Sequence, residues 1–88
     1  MSRAQRIQNL LTRELSPLHL ELIDETTQHN APANGESHFK LLVVSDYFAG
    51  LKPIARHRFI DGLLGEEFAV GLHALAMHTC TPQEWFLE

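Results

Sequence analysis

The chain predicts a small α+β fold, with a three-stranded mixed sheet and helices packed on one face. Three observations predict it. Two stretches of apolar residues at a period of two flank a polar loop, as in an antiparallel strand pair. Helix-period apolar stripes stand before this pair and after it. The later stripe separates the second strand from a third, and a strand–helix–strand crossover of this kind is right-handed and makes its two strands parallel.

Each element follows from local chemistry. Ser2-Arg3-Ala4-Gln5 has the form of a capping box, and Ile7, Leu10, Leu11 and Leu15 follow at helical spacing until Ser16-Pro17 stops the helix. From Leu18 the period changes to two, with Leu18, Leu20 and Leu22 alternating with His19 and Glu21, which describes a half-buried strand. The polar stretch Thr26 to Glu36 contains Pro32 and Asn34-Gly35 and forms a loop, long for a connection between paired strands. A second strand runs from about Ser37 to Asp46. Phe39, Leu41 and Val43 face one side and Lys40, Leu42 and Val44 the other, so apolar residues on both faces make it the central strand.

Gly50 and Pro53 mark a turn, and Pro53 suits the first turn of a helix. Ile60, Leu63, Leu64 and Phe68 carry its stripe, which ends before Gly71. Leu72 to Thr79 reads as the third strand, with His73 on the same side as Leu75 and Met77. Thr81-Pro82-Gln83-Glu84 starts a last short helix, which Trp85 and Phe86 are expected to anchor. The order is α-β-β-α(α)-β-α. No repeat or linker divides it, so residues 1–88 read as a single domain.

Composition narrows the function classes. The chain of 88 residues carries a formal charge of −4, which argues against a general electrostatic grip on phosphates and leaves only a local basic cluster, Arg56-His57-Arg58 with Lys52. Its single cysteine, Cys80, forms no internal disulfide and reads as an inert, buried thiol. No apolar run approaches the roughly 20 residues of a membrane span. The N-terminus lacks the apolar core of a secretory signal. The expected compartment is the cytoplasm. The mitochondrial matrix is the minor alternative, because Arg3, Arg6 and Arg13 precede any acid. No nucleophile–base set, phosphate loop or purposeful carboxylate pair is visible, so an enzyme is not expected. Gly62-Leu63-Leu64-Gly65 matches a GxxG string, but its two central leucines belong to the buried stripe rather than to a phosphate clamp.

Histidine is the unusual feature. Six occur in the chain, and histidine both ligates borderline metals and changes charge near neutral pH. Read from the residues alone, His73 is an ordinary hydrogen-bonded histidine at a sheet edge or a ligand. His29 is a solvated loop residue or a ligand, and His38 a structural group at the start of the second strand or a ligand. The basic cluster is a contact for DNA phosphate or a carboxylate ligand, or it pins the helix start against acids such as Asp46 or Asp61.

Three blocks occur in one order: Ser37-His38-Phe39 leading into LLVVSDYF, then Arg56-His57-Arg58, then His73-Ala74-Leu75 followed by TPQEW. With Asp24-Glu25 ahead of the loop, this pattern resembles the BolA family over nearly the whole chain. The resemblance implies a fold like a type II KH domain, in agreement with the element order. It also implies a non-enzymatic adaptor that pairs with a monothiol glutaredoxin. The two share a [2Fe-2S] cluster together with glutathione, and the BolA-like chain alone binds none stably. The family's C-terminal ligand falls on His73. Its loop ligand, a His or a Cys in different branches, falls on His29, with His38 as the alternative. Arg56, His57, Arg58 and Lys52 are then a surface for glutathione carboxylates or DNA. Some members of the family are described as transcriptional regulators of cell shape, biofilm and stress response, others as acting in iron–sulfur cluster delivery or iron sensing.

Overall fold

A computed structural model describes residues 1–26 and 36–87. Along the chain run α1 (Arg3–Leu15), β1 (His19–Asp24), β2 (His38–Val44), a 3-10 turn (Asp46–Phe48), α2 (Pro53–Leu63), α3 (Gly65–Ala69), β3 (Ala74–Cys80) and α4 (Pro82–Leu87). The sheet order is β1-β2-β3, with β1 antiparallel and β3 parallel to the central β2. The mixed sheet expected from the sequence is therefore present.

The capping box at the start of α1 is closed. The Gln5 N–H donates to Ser2 Oγ at 3.1 Å, and the Ser2 N–H donates to Gln5 Oε1 at 3.0 Å. The α1 stripe of Ile7, Leu11 and Leu15 packs with Phe39, Leu41 and Val43 of β2, Ile60 of α2, Leu64, Leu72 and Phe48 in one core. Leu20 and Leu22 of β1 and Leu75 and Met77 of β3 pack against its margins. Their half-burial follows from their places on the two outer strands, whereas the β2 residues between them are closed off on both sides.

The helix after Pro53 breaks at Leu64, the shared residue between α2 and α3. Leu64 is buried and Leu63 packs on the core, so the GxxG string is spent on packing. Nothing in the structure forces glycine at position 62 or 65, since an added Cβ meets no atom within 4 Å at either.

Helices α1 to α3 lie on the core side of the sheet. Side chains alternate along a strand, so His19 projects to the other side, in one row with Val44 and Cys80. Val44 and Cys80 are buried there, and Trp85 of α4 stacks on the His19 ring at 5.4 Å between centroids. Trp85 thus anchors α4, as expected, but Phe86 does not: it is 76% exposed. A six-residue helix offers one inward position per turn, and Trp85 takes it.

The anchor on the other side of α4 is ionic. Arg56 of α2 is buried, and its guanidinium donates to the Leu51 carbonyl at 2.8 Å, the Thr79 carbonyl at 3.2 Å and the Glu84 carboxylate at 2.6 and 3.2 Å. Glu84 Oε1 also accepts the Thr81 N–H, and Thr81 Oγ1 accepts the Glu84 N–H, which closes the capping box read from Thr81 to Glu84. The acid that holds Arg56 is therefore Glu84 and not Asp46 or Asp61.

Ser45 joins the far end of the sheet. It is buried, its Oγ donates to the Leu15 carbonyl at 2.6 Å and accepts the Tyr47 N–H, and its N–H donates to the Cys80 carbonyl. Ser45→Ala should cost about 1–2 kcal/mol, the range for a lost cap plus an unpaired buried carbonyl, and urea denaturation measures it. The Arg56 guanidinium, helped by the Thr81 N–H, lowers the Glu84 carboxyl from its ordinary 4.5 to about 2. A folded value below the unfolded one means that this stabilisation is complete above 4.5 and is lost as pH falls toward 2. Thermal midpoints should fall through that window, and Glu84→Gln should make the fall shallower.

Candidate functional site

The parallel pairing of β2 with β3 decides which chemistry-bearing groups meet. The register places His38 opposite Ala74. His73 is the residue before that strand and not part of it, contrary to the strand expected from Leu72. The reason lies in how the chain meets the segment before β2. Gly71 has φ +129°, and the His73 and Ala74 N–H groups both donate to the Ser37 carbonyl, at 2.8 and 3.1 Å. Ladder pairing therefore begins only after His73.

As a result the two imidazoles stand side by side at one end of the sheet. Their ring centroids are 5.9 Å apart and their planes differ by 3°. His73 is exposed and can be approached from outside, while His38 is half-buried. His38 Nδ1 lies 2.9 Å from Ser37 Oγ, which fixes the ring's orientation. A ligating imidazole commonly has its second nitrogen held in this way.

The loop between β1 and β2 leaves and returns at this same end. Its flanks are closed by a small network around Asp24. The Thr26 N–H and Oγ1 donate to Asp24 Oδ1, and the Glu36 N–H donates to Oδ2 at 3.2 Å. Buried Thr26 Oγ1 in turn accepts the Ser37 N–H at 3.0 Å. The Thr26 hydroxyl, then the Thr26 and Glu36 N–H groups, hold the Asp24 carboxyl below the usual range. This network was not read from the sequence. The Asp-x-Thr spacing of residues 24 and 26, typical of a local side-chain turn, was its available signal. His29 lies outside the described residues.

Among the described residues, no three His, Cys, Asp or Glu side chains form a group able to hold a metal ion. Among the described residues, the imidazole donors at this end are His38 and His73, of which His73 is exposed. That set fits a chain that adds one or two nitrogen donors to a coordination shell built mainly by another molecule. A self-sufficient metal centre would need more ligands.

The basic cluster is not one surface. Arg56 points inward to Glu84, so its expected contact with DNA or glutathione is corrected: a buried guanidinium with four acceptor contacts is not available to an outside anion. His57 is half-buried, and Lys52 and Arg58 are exposed. Tyr47, half exposed, stacks on Phe59 at 4.6 Å beside these residues. Cys80 is buried, as expected, at the opposite end of β3 from His73. A cavity of about 310 Å³ lies at that opposite end, lined by Asp46, Gly50, Arg56, Thr81 and Glu84 among others. It is separate from the imidazole pair. No helix among the described residues is long and apolar enough to cross a membrane.

Known proteins resemble this chain in sequence and in fold. A family profile described as BolA-like protein matches residues 11–84. A Vibrio cholerae protein named DNA-binding transcriptional regulator BolA is 51% identical over 79 residues, covering 90% of this chain and 74% of the relative. Its namesake in Escherichia coli is 47% identical, covering 92% and 77%. Among solved structures, the BolA domain of SufE1 from Arabidopsis thaliana superposes with a TM-score of 0.89 at 46% identity, covering 96% of both chains. BolA1 from the same plant gives 0.90 at 38% identity, with the same coverage. With its sheet order, its crossover and these likenesses, the chain belongs to the BolA family.

Proposed function

We propose that this protein is a non-enzymatic adaptor that pairs with a monothiol glutaredoxin and, with glutathione, holds a shared [2Fe-2S] cluster. The observation that carries the reading is the outward-facing His73 imidazole, in parallel contact with His38, where the described residues supply no further ligand group. His73 is the chain's principal donor. The second, loop-side donor is His29, with His38 as the alternative. A [2Fe-2S] centre supplies iron sites that accept imidazole nitrogen in place of thiolate, with a shifted reduction potential. The protein's share is to present an imidazole nitrogen at a fixed angle, with Ser37 orienting the neighbouring His38 ring. An imidazole is a weaker hold on iron than a thiolate, which suits cargo meant for transfer or sensing. The cytoplasm is the compartment in which we expect this role.

A second reading is a DNA-binding regulator, favoured by the names of the Vibrio cholerae and Escherichia coli relatives. In this chain the cations exposed for such a role are Lys52 and Arg58, with His57 between them, on a molecule of net charge −4. Such a contact is local and strongly screened by salt.

Anaerobic co-purification with a monothiol glutaredoxin and glutathione tests the first reading. The complex should show charge-transfer absorption distinct from that of the glutaredoxin alone, and His73→Ala should alter it while His78→Ala should not. An identical spectrum for His73→Ala would remove the cluster role. Comparing His29→Ala with His38→Ala then identifies the loop-side donor. For the second reading, duplex affinity should fall with added salt, and Arg58→Ala should reduce the logarithmic salt slope by about 1. A slope indifferent to both would end it.

A further inference from the structure

Arg3 opens α1 but spends its side chain elsewhere. Its Nε donates to Glu67 Oε1 at 3.0 Å, its Nη1 to the Glu36 carbonyl, and its Nη2 to the Val70 carbonyl at 2.9 Å. Glu36 lies two residues before His38, and Val70 three residues before His73. One planar guanidinium therefore grips the two backbone segments that lead into the two imidazoles. The side chain is 14% exposed, unlike the 43% of Arg6 in the next turn.

Two backbone features depend on this grip. Glu36 has φ +60°, a left-handed conformation that L-residues disfavour, and its carboxylate accepts the Ala4 N–H at 3.0 Å. Gly71 has φ +129°, and a Cβ added there would lie 2.9 Å from Arg3 Nη2. Glycine at this position lets the backbone pass against the guanidinium.

We infer that Arg3 is a positioning residue: it sets the spacing of His38 and His73 by clasping the chain just before each. The purpose assigned to that spacing rests on the cluster-sharing reading, but the clasp itself is a property of the protein without any partner. Lysine cannot replace it, because a single ammonium lacks the planar fork that reaches three acceptors at once.

Arg6 provides the internal control. It bonds the same Glu67 at 2.7 and 2.9 Å, but its remaining contact is the Met1 carbonyl, so it touches neither imidazole-bearing segment. The experiment compares Arg3→Ala, Arg3→Lys, Gly71→Ala and Arg6→Ala in the full chain without cluster. NMR reads the ring–ring cross-peak between His38 and His73, alongside thermal unfolding. Arg3→Ala should abolish the cross-peak, Arg3→Lys should fail to restore it, and Gly71→Ala should abolish it with Arg3 still present. Arg6→Ala should keep it, even with a comparable loss of stability. A cross-peak retained in Arg3→Ala, or lost equally in Arg6→Ala, would overturn the assignment. If Arg3→Ala is too unstable to fold, Gly71→Ala and Arg3→Lys decide on the same criterion. The glutaredoxin complex is measured separately. A cross-peak lost without any change in the cluster spectrum would remove the purpose assigned to that spacing and leave the clasp standing.

Discussion

The parallel ladder between β2 and β3 is the constraint on which the rest of this structure depends. A shift of one residue in that register would move the Leu75 and Met77 side chains off the core and carry His73 away from His38. The register is held from both ends. Ser37 accepts the first two N–H groups at the start, and Ser45 donates to Cys80 at the finish. Between them the side chains of Phe39, Leu41 and Val43 are at most 2% exposed, so slippage would uncover the best-packed part of the core. The register that brings both imidazoles to one end of the sheet is thus set by apolar burial and backbone pairing, not by any interaction between the rings themselves.

Positive charge is used sparingly, and two of the arginines, Arg3 and Arg56, turn inward. Of the seven Lys and Arg residues, Arg3, Arg6, Arg13 and Arg56 are ion-paired, and the first two converge on Glu67, whose carboxyl they hold below its usual range. Arg56 and Arg3 serve similar ends at opposite poles of the sheet: each ties backbone carbonyls of two separate segments to one carboxylate. In an acidic chain this use of arginine leaves a small external basic surface. That surface limits how tightly the molecule holds a polyanion.

The element order was legible because each boundary had local chemistry behind it: the Ser2 and Thr81 capping boxes, the change of period at Leu18, and the two-faced apolar pattern of β2. The end of α2 was less legible, since Leu63, Leu64 and Phe68 continue the same stripe across a break whose cause is tertiary. Phe86 was misread because six residues contain too few turns for a face to declare itself. His73 is singled out by the resemblance, but its place before β3 was not legible, because the Ser37 carbonyl that ends the ladder there belongs to a distant segment. The inward course of Arg56 was hidden for a similar reason. A basic triplet reads as surface until a carboxylate 28 residues away is seen to reach it.

The clasp also has a meaning for how the molecule comes into being. The bond from Arg3 to the Val70 carbonyl closes 67 residues of an 88-residue chain, so both of its ends must have emerged and met before it exists. Contacts of such span form late, after nearer pairings such as the β1–β2 ladder have repaid their loop entropy. A nascent or partly unravelled chain therefore carries its histidines apart. Their side-by-side pairing arrives only with the finished fold.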